Sequence, residues 1–134
     1  LSEQINKLNA SQFIHLIGYK DNPYPYMKNS DVYVLNSDYE GTPTVLIEAM
    51  SLGIPIIATD CPSGVKELIS NNYGNSGLLI PPNNNSSLYN SIEMLMDDPD
   101  LRISLGRIGM QSSLFYDVCE VRQSWVNFIN KWAK

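Results

Sequence analysis

Residues near the middle of this 134-residue chain carry explicit signals for the start and the end of a helix. Thr42 is a residue type favoured at an N-cap, and Pro43 suits the first helical position because its missing N–H costs nothing there. Gly53 is followed two residues later by a proline, a combination that ends helices. We therefore expect a helix from about Pro43 to Leu52.

The expected helix is apolar on nearly every side. Its polar side chains form one narrow stripe at i, i+4 and i+7, made by Thr44, Glu48 and Ser51. A helix buried on its other faces has to turn this stripe toward a cleft or a partner. A second carboxylate, Glu40, precedes the helix, with seven residues between it and Glu48. Either glutamate alone is most simply a solvated charge, but this explanation fits the pair less well, because Glu48 lies in an apolar helix and Glu40 precedes a glycine and a proline-initiated turn.

The start of the helix also suits an anion. The amides of Thr44, Val45 and Leu46 have no acceptor within the helix, and the macrodipole adds partial positive charge. Phosphate is a common anion at such a position. Gly41 has no side chain and would let a ligand approach the backbone closely.

Apolar runs rich in β-formers alternate with helical patterns along the first 80 residues. The four expected strands are residues 12–17, 31–36, 54–58 and 77–80, with short helices after Asn22-Pro23 and at residues 65–69. This alternation predicts an α/β fold, a Rossmann-like parallel sheet flanked by helices. Ligands then gather at the carboxyl ends of the strands, here Gly18, residues 37–41 and residues 59–64.

The last third of the chain is expected to be helical. Two apolar stripes predict two successive helices, the first with Leu88, Ile92, Leu95 and Met96 and the second, after Asp98-Pro99, with Leu101, Leu105 and Ile108. Asp117 and Glu120 form a capping-box pattern before a third helix. Its aromatic stripe, Val118, Val121, Trp125, Phe128 and Trp132, is interpreted as core or as a seam with another domain.

Composition excludes several classes of function. The net charge is -5 and the pI about 4.6, without a cluster of Lys and Arg, so nucleic-acid binding is disfavoured. Cys61 and Cys119 lack the spacing of a disulfide framework or a zinc site, which favours a reducing cytosol. His15 has apolar neighbours and is interpreted as a structural histidine. The apolar runs are shorter than the roughly 20 residues that a membrane-spanning helix needs.

The beginning of the sequence, L-S-E-Q-I-N-K-L, is typical of the tail of an amphipathic helix and has no initiator Met. We therefore expect residues 1–134 to be a single domain that lacks its N-terminal part.

The stretch S-D-Y-E-G-T-P-T-V-L-I-E-A-M-S-L-G-I-P-I-I-A-T-D resembles the E-x7-E signature of retaining glycosyltransferases of the GT-B fold, family 4 (glycosyl transferases group 1). The likeness extends, in the family's order, to F-I-H-L-I-G, S-D-V-Y-V-L-N-S, C-P-S-G-V-K-E-L-I and G-L-L-I-P-P. It thus covers most of the chain and implies a C-terminal, donor-binding domain of such an enzyme.

The resemblance implies a role for each matching residue. Glu40 would act as the catalytic-site glutamate that contacts the hydroxyls of the transferred sugar, and Glu48 would hold the ribose hydroxyls of the nucleotide. The remaining donor-binding positions form three groups: backbone facing the sugar at Gly41, Thr42 and Pro43, amides for the diphosphate at Thr44, Val45 and Leu46, and a base-lining segment at Gly18, Tyr19 and Lys20. An ordinary strand-to-loop exit explains the last group equally well.

The implied reaction transfers a sugar from a nucleoside diphosphate, without cofactor or obligatory metal, to a glycan or lipid-linked acceptor. The acceptor would bind through an N-terminal domain that this chain lacks. The block D-C-P-S-G-V-K-E is similar to one in members that use UDP-linked sugars, which favours UDP over GDP or ADP. The expected location is the cytoplasm, with peripheral association at the inner face of the cytoplasmic membrane as an option.

The chain departs from the family pattern in what it lacks. In the family, an Arg and a Lys that clamp the diphosphate come from a block that would precede Leu1, and this sequence does not include that block. We therefore expect this chain alone to be inactive. In the family, further strands lie between those matching residues 12–17 and 31–36. A non-catalytic nucleotide-binding or interaction module with a flavodoxin-like sheet remains the alternative. A GT-B epimerase or phosphorylase is disfavoured by the E-x7-E match and by the absence of a suitable lysine motif for pyridoxal phosphate.

Overall fold

The computed structural model describes residues 1–62, 64–71 and 73–133. Its helices pack around a small parallel sheet. The α-helices are α1 (Ser2–Lys7), α2 (Tyr24–Lys28), α3 (Thr44–Ser51), α4 (Val65–Ile69), α5 (Asn85–Asp97), α6 (Pro99–Ser113) and α7 (Val118–Trp132). The strands are β1 (Tyr33–Leu35), β2 (Ile56–Thr59), β3 (Ser70–Asn71), β4 (Gly74–Asn75) and β5 (Gly77–Ile80), and a 3-10 helix spans Leu114–Tyr116.

The main sheet has three parallel strands in the order β1-β2-β5. Ile56 of β2 lies opposite Tyr33 of β1 on one side and Gly77 of β5 on the other. All four residues of the central strand β2 are buried, as expected for a parallel strand covered on both faces. The short β3 and β4 form a separate antiparallel pair. The predicted parallel sheet flanked by helices is thereby confirmed.

Helices cover both faces of the sheet. Neighbouring residues of a strand point to opposite faces, so one strand contributes to the core on each side. Ile56 belongs to a buried cluster with Leu46 and Met50 of α3 and with residues of α4. Ile57, the next residue, belongs to a second cluster with Leu95 of α5 and Leu105 of α6. The alternation within β2 thus places α3 and α4 on one face and α5 and α6 on the other.

The strand expected at residues 12–17 is wrong. These residues form no strand; instead the amides of Phe13 and Ile14 both donate to the carbonyl of Ala10, each at 2.9 Å, which closes a turn. Phe13 is 77% exposed, and His15, expected to be a packed structural histidine, is exposed as well. An apolar run becomes a strand only where another strand offers hydrogen bonds, and none of the described strands lies beside this one.

Most other elements occur where they were expected. Residues 65–69 and 77–80 form α4 and β5 with the predicted bounds, whereas β1 is shorter than predicted and β2 begins and ends later. Met96 is 69% exposed and does not belong to the buried stripe of α5. The interpretation of the α7 stripe as core is wrong, because no residue of α7 is buried; the seam with another domain stays a prediction. None of the described helices combines the length and the apolar character needed to cross a bilayer.

Candidate donor site at the β1–α3 junction

The two glutamates lie on either side of the junction between β1 and α3. Glu40 is in the loop that follows Leu35, the last residue of β1, and Glu48 is in the second turn of α3. Both side chains are partly buried. Because the sheet is parallel, the carboxyl ends of β1, β2 and β5 lie at this same edge.

Core packing holds α3 and orients its polar stripe. Leu46, Ala49 and Met50 are fully buried, so the helix is covered on the faces that they occupy. Glu48 is partly exposed, and Thr44 and Ser51 are exposed, so the stripe lies on the accessible face of α3. The Ser51 hydroxyl donates to the backbone carbonyl of Glu48 at 2.8 Å.

The helix starts one residue later than predicted. Pro43, not Thr42, occupies the N-cap, and no side chain of a described residue caps the helix there. The reason is backbone geometry: the ψ of Pro43 is 82°, which is outside the helical range. Thr42 takes part through its backbone, since its carbonyl accepts the Thr44 amide at 2.8 Å.

This start changes which amides are available to an anion. The Leu46 amide donates to the Pro43 carbonyl at 2.9 Å, and the Thr44 amide is already engaged. The Val45 amide has no acceptor among the described residues. The prediction of three unsatisfied amides is therefore wrong for two of them in this structure.

Tyr33 of β1 is close enough to both glutamates to be affected by their charge, and sequence reasoning missed it. It packs with Leu35 against the cluster that contains α3. Burial raises the pKa of its hydroxyl above the usual 10.0, and the negative charges of Glu48 and then Glu40 raise it further. The signal that could have revealed it is the alternation of β1, which places Tyr33 on the α3 side of the sheet.

The space beside Gly41 is open. A Cβ on Gly41 would meet no atom of a described residue within 4 Å, and Gly41 is not in the left-handed region. Nothing in the described part of this chain therefore requires glycine at this position. Packing within the chain does not account for it, which leaves room for a ligand against the backbone.

The segment expected to line the nucleotide base, residues 18–20, makes no recorded contact with Glu40 or Glu48 among the described residues. Gly18 has a φ of +63°, which favours glycine, but it follows no strand. Tyr19 is 89% exposed, and the Lys20 ammonium lies 5.8 Å from the ring centroid of Tyr26. Among the described residues, no hydrogen bond, ion pair or ring contact joins these residues to Glu40 or Glu48.

Two of the cavities lined by described residues adjoin the 3-10 helix. One, of about 270 Å³, is lined by Glu48 and Ser51 of α3 and by Asp117, among others, so the polar stripe borders an open groove. A larger one, of about 440 Å³, is lined mainly by aromatic side chains between the 3-10 helix and α7. No group of three or more His, Cys, Asp or Glu side chains in the described ranges could hold a metal ion.

Comparisons with known proteins agree on one family. A family profile described as glycosyl transferases group 1 matches residues 1–111. The chain is 30% identical to an uncharacterized glycosyltransferase of Methanocaldococcus jannaschii, over 93% of this chain and 37% of the relative. It is 31% identical to the N,N'-diacetylbacillosaminyl-diphospho-undecaprenol alpha-1,3-N-acetylgalactosaminyltransferase of Campylobacter jejuni, over 90% of this chain and 31% of the relative.

The fold is shared with solved structures. Anabaena HepE, crystallised in complex with UDP, superposes with a TM-score of 0.87 at 22% identity, over 97% of this chain and 35% of HepE. The chain thus spans about a third of the length of the proteins that it matches.

Proposed function

The chain belongs to the glycosyl transferases group 1 family, and we propose that it forms the single domain that binds the nucleotide-sugar donor in such an enzyme. The full-length protein would transfer the sugar, with retention of anomeric configuration, to a glycan or lipid-linked acceptor. Because the chain spans about a third of its relatives, acceptor binding and catalysis are assigned to the full-length protein.

One observation carries the proposal: Glu40 and Glu48, both partly buried, flank the start of α3 at the carboxyl edge of a parallel sheet. Ionised carboxylates accept hydrogen bonds from pairs of hydroxyl groups, which sugars and ribose both present. We assign Glu40 to the hydroxyls of the transferred sugar and Glu48 to the ribose.

The diphosphate would lie between them at the start of α3. The Val45 amide is available, and the helix dipole favours negative charge there. The Thr44 and Leu46 amides would bind phosphate oxygens after releasing the carbonyls of Thr42 and Pro43. The open space beside Gly41 then admits the sugar against the backbone of residues 41–43.

In the transfer step the bond from the anomeric carbon to the diphosphate oxygen breaks, and a bond to the acceptor oxygen forms on the same face. The acceptor's proton passes to the departing phosphate oxygen, so no separate base is needed. Positive charge develops on the sugar and negative charge on the diphosphate. Amides at the start of α3 stabilise the leaving group, while Glu40 holds the sugar.

Relatives support the choice of donor and acceptor. HepE was crystallised with UDP, and the Campylobacter jejuni relative is named for transferring N-acetylgalactosamine to a diphospho-undecaprenol-linked sugar. We therefore propose a UDP-linked donor, with the base lying along Gly18, Tyr19 and Lys20. A lipid-linked acceptor would place the enzyme in the cytoplasm, peripherally at the inner face of the cytoplasmic membrane.

Calorimetric titration of this chain with UDP, GDP and ADP tests the proposal. The expected result is saturable binding of UDP, at least about tenfold tighter than that of the other two, which corresponds to about 1.4 kcal/mol. In parallel, the chain alone is expected to show no multiple turnovers of a UDP-sugar. Absence of nucleotide binding refutes the donor-site assignment, and equal binding of all three refutes the choice of UDP.

A further inference from the structure

A buried hydroxyl joins the β1 loop to the neighbouring strand. Thr59, the last residue of β2, is 2% exposed. Its hydroxyl donates to the backbone carbonyl of Ser37 and accepts the Ser37 amide at 3.2 Å. One side chain thus satisfies both backbone groups of a residue 22 positions away in the sequence.

This contact anchors the N-terminal end of the loop that carries Glu40. Residues 38–41 make no hydrogen bond to any described residue, so Glu40 lies three positions beyond the Ser37 anchor without further polar support. At its other end the loop runs into Pro43, which is buried and precedes α3, so the loop is held at two ends. The Thr59 hydroxyl fixes the end of the loop at Ser37.

Glu48 has a different support. It lies in α3, whose residues Leu46, Ala49 and Met50 are fully buried against the sheet. The position of Glu48 is therefore set by core packing. The two glutamates can respond separately when the Thr59 hydroxyl is removed.

We propose that Thr59 is a positioning residue that sets the place of the Glu40 loop, and so determines how much more tightly a UDP-sugar binds than UDP alone. The proposal rests on the proposed function, in which Glu40 contacts the sugar and Glu48 the ribose. Thr59 itself is buried and acts through the Ser37 backbone.

The test uses Thr59→Val, which keeps the shape but removes the hydroxyl, and Thr59→Ser, which keeps the hydroxyl. Each is titrated calorimetrically with UDP and with UDP-N-acetylglucosamine and UDP-galactose. We expect Thr59→Val to bind the UDP-sugar about five- to tenfold more weakly than the wild type does, which is the effect of one lost hydrogen bond. The affinity of Thr59→Val for UDP should stay within about twofold of the wild-type value. Thr59→Ser keeps the hydroxyl and is expected to keep the wild-type preference for the UDP-sugar over UDP.

A matched control is Ser76→Ala, which removes another buried hydroxyl that donates to a backbone carbonyl, that of Ile69 at 3.2 Å. It should lower thermal stability without changing the ratio of the two affinities. If Thr59→Val weakens UDP and UDP-sugar equally, or changes neither, the positioning role is overturned while the donor site stands. If the wild type binds neither ligand, the proposed function fails and this proposal with it.

Hydrogen exchange of the wild-type chain supplies a test that needs no variant. The Ser37 amide is expected to be protected in the free protein, and UDP-sugar, but not UDP, should slow exchange at residues 38–41. An unprotected Ser37 amide, or equal protection of residues 38–41 by both ligands, contradicts the proposal.

Discussion

Replacing Gly106 by alanine should destabilise the protein, because α6 contacts the end of α3 there without room for a side chain. A Cβ on Gly106 would overlap the carbonyl oxygen of Gly53, and the obstacle is backbone on both sides. Gly53 closes α3: its amide donates to the Met50 carbonyl, and the next amide, of Ile54, donates to the Ala49 carbonyl. It has a φ of +72° and cannot shift without loosening this helix end.

The magnitude follows from two opposing effects. Overpacking a buried contact costs about 1–3 kcal/mol, with the upper part of the range expected where backbone meets backbone. Alanine in place of a helical glycine gains about 1 kcal/mol. Gly106→Ala should therefore lower the free energy of unfolding by about 1–2 kcal/mol, or the Tm by roughly 3–8 °C.

Gly109, on the same helix, is the matched control. A Cβ on Gly109 would lie 3.4–3.6 Å from atoms of Met50, an ordinary contact, so Gly109→Ala should be neutral or stabilise by up to about 1 kcal/mol. Denaturant unfolding followed by circular dichroism measures both variants. A Gly106→Ala variant as stable as Gly109→Ala would refute the argument from close helix packing.

Three further predictions concern Tyr33, the core and a helix cap. The raised pKa of Tyr33 means that folding favours the protonated hydroxyl; its contribution to stability is complete below pH 10.0 and is lost as the pH rises through the folded-state pKa. Ultraviolet titration, with Tyr33→Phe for subtraction, should show this pKa falling toward its ordinary value in Glu48→Gln; no fall would show that Glu48 does not act on Tyr33. Leu46→Ala should lower the unfolding free energy by about 2–5 kcal/mol, since Leu46 is fully buried, and a loss below about 1 kcal/mol in denaturant unfolding would contradict that packing. Asp98→Ala should cost about 1 kcal/mol by thermal unfolding, because the Asp98 carboxylate accepts the Leu101 amide at 2.8 Å, whereas an unchanged Tm would indicate that the cap contributes nothing.

Local sequence patterns correctly predicted the helices and strands that are determined mainly by their own residues. The helix at residues 65–69 and the strand at residues 77–80 have the predicted bounds. The stop at Gly53 is also as predicted, since a positive φ is a property of that residue. The start of α3 was displaced by one residue because residue types that favour a cap do not determine the ψ of Pro43.

Features that depend on distant residues were not predictable in this way. The apolar pattern of residues 12–17 cannot indicate whether another strand lies beside it, and in the described chain none does. The E-x7-E spacing pointed to Glu40 and Glu48 but not to Tyr33, which the fold places within range of their charge. The Thr59–Ser37 contact joins residues 22 positions apart in the sequence. The sequence feature that could have indicated it is a polar residue, Thr59, at the carboxyl end of an otherwise apolar strand.

Calorimetric titration of UDP and a UDP-sugar into the wild type, Glu40→Gln and Glu48→Gln tests the division of roles most directly. Glu48→Gln should weaken UDP binding by about 1–3 kcal/mol, because a charge-assisted hydrogen bond to the ribose is lost. Glu40→Gln should leave UDP binding unchanged and weaken only the UDP-sugar. Glu93→Gln, at an exposed position of α5, is the control and should change neither affinity. Unchanged UDP affinity in Glu48→Gln would contradict the donor site and favour a non-catalytic nucleotide-binding module.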